Sequence, residues 1–169
     1  MEPTTATNAG SIQLILLLLV LIPAILFLLT EFNTLKLIRP ENRAMQPGWV
    51  WLQLIPLVGQ VWQFVVVARI ARSISNQWQT EDEDSILGIN AEAVAVTNSS
   101  RPTLVNGITY CTLNALVIVC NLTLRAAPNT MLSMIVGVIA LVAMASWIIY
   151  WVQLAGWRRR LKDTVRFTI

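Results

Sequence analysis

The chain has 169 residues, 56% of them hydrophobic and only 12% charged, with seven Trp and a net charge of +3. A typical soluble domain carries roughly 25% charged residues, and a soluble fold this poor in charge would expose large apolar patches, so lipid is the expected solvent. His is absent and the two Cys lack metal-ligand spacing, which argues against a zinc or haem site and leaves no cofactor to expect. The Arg residues flank apolar runs instead of forming a patch with interleaved aromatics, so the basic balance reads as membrane topology rather than nucleic-acid binding.

Met1 to Gly10 contain no Lys or Arg, so the basic region of a secretory signal is missing. The apolar run that follows, Ile12 to Thr30, covers about 28 Å as a helix, enough for the hydrocarbon core. It is predicted to be an uncleaved span, with Pro23 a kink that membranes tolerate. Glu31 to Gly48 is polar and holds Pro40 and Pro47, the composition of a loop or surface segment. A second apolar run, Trp49 to Ile70, is interrupted by Pro56 and Gly59. Residues 71–102 read as a cytoplasmic loop. They contain the acidic cluster Glu81–Asp84, which lacks the alternating ligands and glycine of a calcium loop, and a mildly apolar stretch, Ile86 to Val96, that suits a short interfacial helix. Two further runs, Leu104 to Leu124 and Met131 to Leu154, are predicted transmembrane helices joined by a tight turn. Cys111 and Cys120 share one of them at a separation of about 13 Å, too far for a disulfide. Residues 155–169 form a basic tail, and residues 1–169 read as a single membrane domain without internal repeats.

The second run decides the topology. If all four runs span, one face receives Arg69, Arg72, Arg101 and the basic tail residues, and the other Lys36, Arg39, Arg43 and Arg125. If Trp49–Ile70 instead dips in and returns, every Lys and Arg except Arg125 lies on one face. The positive-inside bias favours the second arrangement. The expected fold is therefore an all-α integral membrane protein with three transmembrane helices plus a re-entrant or half-inserted helical hairpin turning at Pro56 and Gly59. Four transmembrane helices are the alternative. The N-terminus is expected outside and the C-terminus in the cytoplasm.

Polar residues recur within the apolar runs. Asn106, Tyr110, Asn114 and Asn121 are spaced to share one helical face, and Gln53, Gln60 and Gln63 would form a second stripe. Amides in lipid need partners, so the two stripes are expected to meet in the bundle core, as structural glue or as a hydrated path for a small solute. Ser133, Gly137 and Ala140 form a weak small-residue pattern for close helix contact. Trp147, Tyr150, Trp151 and Trp157, and Trp49 and Trp51 at the start of the second run, suit an aromatic belt at the interface. Arg158, Arg159, Arg160 and Lys162 suit a stop signal and anchoring to lipid headgroups.

No Asp, Glu, Lys or Arg lies in the central part of any run, which argues against proton relays and ion-coupled transport. Without His there is no Ser–His or Cys–His pair, and the seven glycines form no phosphate loop. The expectation is a non-catalytic membrane protein, an accessory or scaffold subunit binding other membrane proteins, itself or lipid. A small oligomeric channel or transporter is the alternative.

The segment Asn42-Arg43-Ala44-Met45-Gln46-Pro47-Gly48-Trp49-Val50-Trp51-Leu52, continuing through Leu54-Ile55-Pro56 to Val61-Trp62-Gln63-Phe64, resembles a group of uncharacterised small membrane proteins of Bacteroidota. The stretch Arg69 to Ser73 and the ending from Ile149 to Gly156 are similar too, and the likeness covers about a third of the chain. It implies a bacterial inner-membrane protein and no particular activity.

Overall fold

The computed structural model describes residues 4–84 and 103–167. Four α-helices account for most of them: α1 (Thr4–Leu37), α2 (Val58–Asp84), α3 (Leu104–Ala126) and α4 (Thr130–Phe167). Two 3-10 segments, η1 (Pro40–Asn42) and η2 (Pro47–Leu54), lie between α1 and α2. The fold is all-α, and among the described residues three helical stretches are long and apolar enough to cross a membrane: Leu17–Leu37, Leu104–Ala126 and Thr130–Lys162. The chain is a multi-pass membrane protein.

The second apolar run doubles back. Pro47 sits in the first turn of η2, where its missing N–H costs nothing. The segment ends at Leu54, and the chain turns through Ile55–Leu57, with Val58 N–H donating to the Pro56 carbonyl at 2.8 Å and Gly59 N–H to the Ile55 carbonyl at 2.7 Å. Leu57 takes a left-handed conformation, φ 66°. A side chain at Gly59 would collide with the Gln53 carbonyl, so only glycine lets the two arms approach this closely. Eight residues of 3-10 helix rise about 16 Å, and Val58 to Arg69 rise about 17 Å in the opposite direction, half of a 30 Å hydrocarbon core.

The two flanks of the run meet. Ala44 N–H donates to Ser73 Oγ at 2.8 Å, and Arg69 Nη1 donates to the Ala44 carbonyl at 2.8 Å. Gln77 Oε1 accepts from the Arg39 N–H at 3.0 Å and from Asn42 Nδ2 at 3.2 Å. A continuous helix of this length would hold its flanks some 30 Å apart; here they lie within hydrogen-bonding distance. The polar linker between α1 and η2 is thus not a free loop: the side chains of α2 satisfy its backbone. We call the end of the bundle where these flanks meet the base, and the end bearing the α3–α4 turn the apex.

Three helices run further than hydropathy predicts. α1 continues from Thr30 to Leu37, α2 occupies residues 71–84 of the expected loop, and α4 extends through most of the expected tail. One apolar stripe on each explains the extensions. Leu35 and Ile38, Ile70 and Ile74, and Leu154 and Leu161 are buried in a single cluster with Val50 and Val66. Their spacings are those of one helix face. Trp78 and Trp157 meet edge to face at 5.8 Å beside this cluster. The stretch Ile86–Val96 and Arg101 lie outside the described residues.

The aromatic residues of α4 expected at an interface pack partly inward, with Trp147, Trp151 and Trp157 half-buried. Tyr150 is fully buried, and Phe27 of α1 has Tyr110, Trp147, Tyr150 and Trp151 around it at centroid distances of 5.6–6.3 Å, all edge to face. Trp151 Nε1 donates to Thr30 Oγ1 at 3.0 Å. Gly107 lets α3 into this cluster, since a side chain there would overlap Val67 and stand 2.9 Å from the Tyr150 ring. The α3–α4 turn is closed by Asn129, whose Oδ1 accepts from the Leu132 N–H, an N-cap for α4.

Candidate functional site

A cavity of about 710 Å³ lies above the hairpin tip, among α1, α3, α4 and the two hairpin arms. It takes shape because the hairpin stops at mid-depth. α3 runs antiparallel to the first turns of α2, with Gly107 against Val67 and the Tyr110 hydroxyl donating to Gln63 Oε1 at 3.2 Å. Beyond the tip α3 has no such partner, and the space opens toward Val117 and Ala140.

The structure gathers Gln53, Gln60 and Gln63 of the hairpin with Tyr110 and Asn114 of α3 on the walls of this cavity. Gln63 Nε2 donates to Gln60 Oε1 at 3.0 Å, which makes a chain Tyr110–Gln63–Gln60. Asn114 stands one turn from Tyr110, within hydrogen-bonding reach of its hydroxyl. Gln53 Nε2 donates to Glu31 Oε2 at 2.6 Å and so ties the first arm to α1. Asn106 and Asn121 are not among the lining residues. Asn121 is exposed and turns its amide back to the Val117 carbonyl at 2.8 Å, because the hairpin ends too low to reach it.

The other wall is apolar: Leu19, Val20, Pro23, Ala24, Phe27 and Leu28 from α1, and Ala140, Ala143, Met144 and Trp147 from α4. Pro23 has no N–H to bond the carbonyl one turn earlier in α1. Pro56 and Gly59, the expected turn, form the tip itself, and Gly59 faces the cavity. Arg158, Arg159, Arg160 and Lys162 lie on the base end of α4. Arg158 is half-buried, the other three are exposed, and the Arg160 guanidinium covers the Trp157 ring at 5.1 Å.

One residue beside the site escaped sequence reasoning. Glu31 is fully buried, four residues after Phe27 and four before Leu35, and its Oε1 meets no donor. The Tyr150 hydroxyl is likewise buried without a partner. Hydropathy ends the first span at Thr30 and so places Glu31 in a surface segment. The signal that could have found it is periodicity: Phe27, Glu31, Leu35 and Ile38 share one face if the helix is carried past the apolar run. Both cysteines are free, Cys111 buried and Cys120 half-buried. No protein-family model, curated protein or solved structure matches the chain.

Proposed function

We propose that the chain is a non-catalytic accessory protein of a bacterial inner membrane, which holds a membrane-embedded partner through the apex half of its bundle. The observation that carries this reading is the apex half: around the cavity, α1, α3 and α4 present large exposed apolar surfaces. Such an arrangement receives something from the bilayer and has nowhere to pass it. Beneath the cavity Leu28, Val66, Ile70 and Leu154 are buried in one cluster, which speaks against a water-filled path along the bundle. The charge count orients the base, with Lys36, Arg39, Arg43, Arg69 and Arg72, toward the cytoplasm. The hairpin then inserts from that side, its backbone shielded by α1 and α3 as membrane depth requires. The resemblance of the hairpin segment to Bacteroidota membrane proteins agrees with this location.

Purification from mild detergent tests the reading. A membrane protein recovered at constant stoichiometry is expected, and a chain that runs alone under all mild conditions would end the proposal. Single cysteines at Glu41, Glu83 and Asn129 test the orientation. The first two should react with an impermeant maleimide from the cytoplasmic face, and the third from the opposite face.

A second reading, a small oligomeric channel, has one observation in its favour: the uncharged polar wall from Gln60 to Asn114. Liposome flux that falls on Asn114→Leu is its requirement. Flux that is absent or indifferent to the substitution removes it.

A further inference from the structure

We propose that the cavity above the hairpin is a binding site for one uncharged, hydroxyl-bearing lipid, of the diacylglycerol kind. This goes beyond the partner-binding reading above: it assigns the cavity itself to a lipid and leaves the exposed apolar faces of the apex to the partner. The volume, about 710 Å³, falls within the roughly 300–1,000 Å³ of ordinary ligand sites. Its walls divide into two chemistries, as an amphiphile requires. The apolar rim of Leu19, Val20, Ala140 and Met144 suits acyl chains, and the first two and Met144 are exposed to the bilayer side. The polar side is built from amides and a phenol.

The head chemistry follows from what those groups have left to give. Gln60 spends its carbonyl oxygen on Gln63 and keeps its amide hydrogens as donors. Gln53 spends amide hydrogen on Glu31 and keeps its oxygen as an acceptor. A fitting head must therefore both donate and accept: a hydroxyl beside ester carbonyls does so, and a quinone, which only accepts, does not. The lining contains no Lys or Arg to hold a phosphate and no Asp or Glu to hold an amine, so the head is neutral.

Native mass spectrometry of the full chain, released from detergent after incubation with 1,2-dioleoylglycerol, reads the site directly. Menaquinone-4 and dioleoylphosphatidylglycerol are the comparison probes. One saturable dioleoylglycerol adduct per chain is expected. Gln60→Leu should weaken it about tenfold, the worth of one hydrogen bond, and Ala140→Trp should abolish it by filling the volume. Met144→Trp serves the same purpose if Ala140→Trp does not fold. Lack of a saturable adduct, or an adduct unchanged in the folded variants, overturns the site. Equal binding of menaquinone-4 or of the anionic lipid overturns the head assignment. The measurement uses the isolated chain, so a missing protein partner leaves it untouched, and a missing adduct leaves partner co-purification to be judged separately.

Discussion

Val138 and Leu154 lie on one helix about four turns apart, and they meet opposite surroundings. Val138 is 62% exposed, whereas Leu154 is completely enclosed. The contrast holds for the whole molecule. At the base, α1, α2 and α4 bury Leu35, Ile38, Ile74 and Leu161 together, and a polar layer of Asn42, Ser73 and Gln77 stitches the linker to α2. At the apex, Ile12, Leu14, Leu19 and Val20 of α1 and Met131, Met134, Val138 and Leu141 of α4 turn large apolar side chains outward. At the far end of the base, beyond the apolar stretches, Ile74 and Trp78 gain from apolar area that escapes solvent. Lipid does not drive the packing of the apex, because a hydrocarbon chain is as good a neighbour as another leucine. The two halves thus obey different rules on the same helices.

Substitutions should therefore sort by half. The largest effect belongs to Gly107→Leu, which forces a side chain into Val67 and the Tyr150 ring. It should cost about 3 kcal/mol, the upper end of overpacking, and appear as a large fall in thermal midpoint in detergent. A variant with an unchanged midpoint would mean that α3 does not close on the base as described. Gln77→Leu comes next. It leaves the Arg39 N–H and the Asn42 amide without their shared acceptor, at about 2 kcal/mol, and should raise protease sensitivity between α1 and η2. Gly59→Ala should open the hairpin tip, because the obstacle is backbone that cannot rotate away. Its expected sign is increased solvent labelling of a cysteine at Leu57. The smallest effect is the sharpest test: Val119→Leu and Ile135→Leu, on exposed apex positions, should shift stability by less than about 0.5 kcal/mol. A larger loss would show that the apex is packed by something the isolated chain already contains.

Much of this was legible before any coordinates. The doubling back of Trp49–Ile70 follows from counting Lys and Arg, because charge bias is a global constraint that a single segment can violate or satisfy. The meeting of Gln60 and Gln63 with Tyr110 and Asn114 follows from helical spacing. What was not legible shares one cause: hydropathy marks where lipid begins, not where a helix ends. Ile70, Ile74 and Trp78 continue a buried face through a polar stretch, and Leu154, Trp157 and Leu161 do so through a basic one. The same bias hid Glu31, and it assigned Tyr150 to an interface that it never reaches. Asn121 fails for a different reason. Periodicity puts it on the stripe, but only the depth of the hairpin decides whether a partner is present, and depth is not written in the spacing.

The hairpin also sets the order in which the chain can be built. Its first arm is a 3-10 segment of eight residues, too short to enter hydrocarbon alone with its backbone groups unpaired. Its base is fastened by side chains of α2, Ser73 and Gln77, that are synthesised after both arms. Its second arm is bonded to α3 through Gln63 and Tyr110, and α3 comes later still. A growing chain would therefore release this segment to the membrane surface and fold it inward only after the three crossing helices stand in place. Chains truncated at residue 103 should leave a cysteine at Leu57 reactive to an impermeant maleimide from the base side, and full-length chains should hold it in the bilayer and out of reach; protection in the truncated chain would mean that the hairpin inserts without α3 and α4.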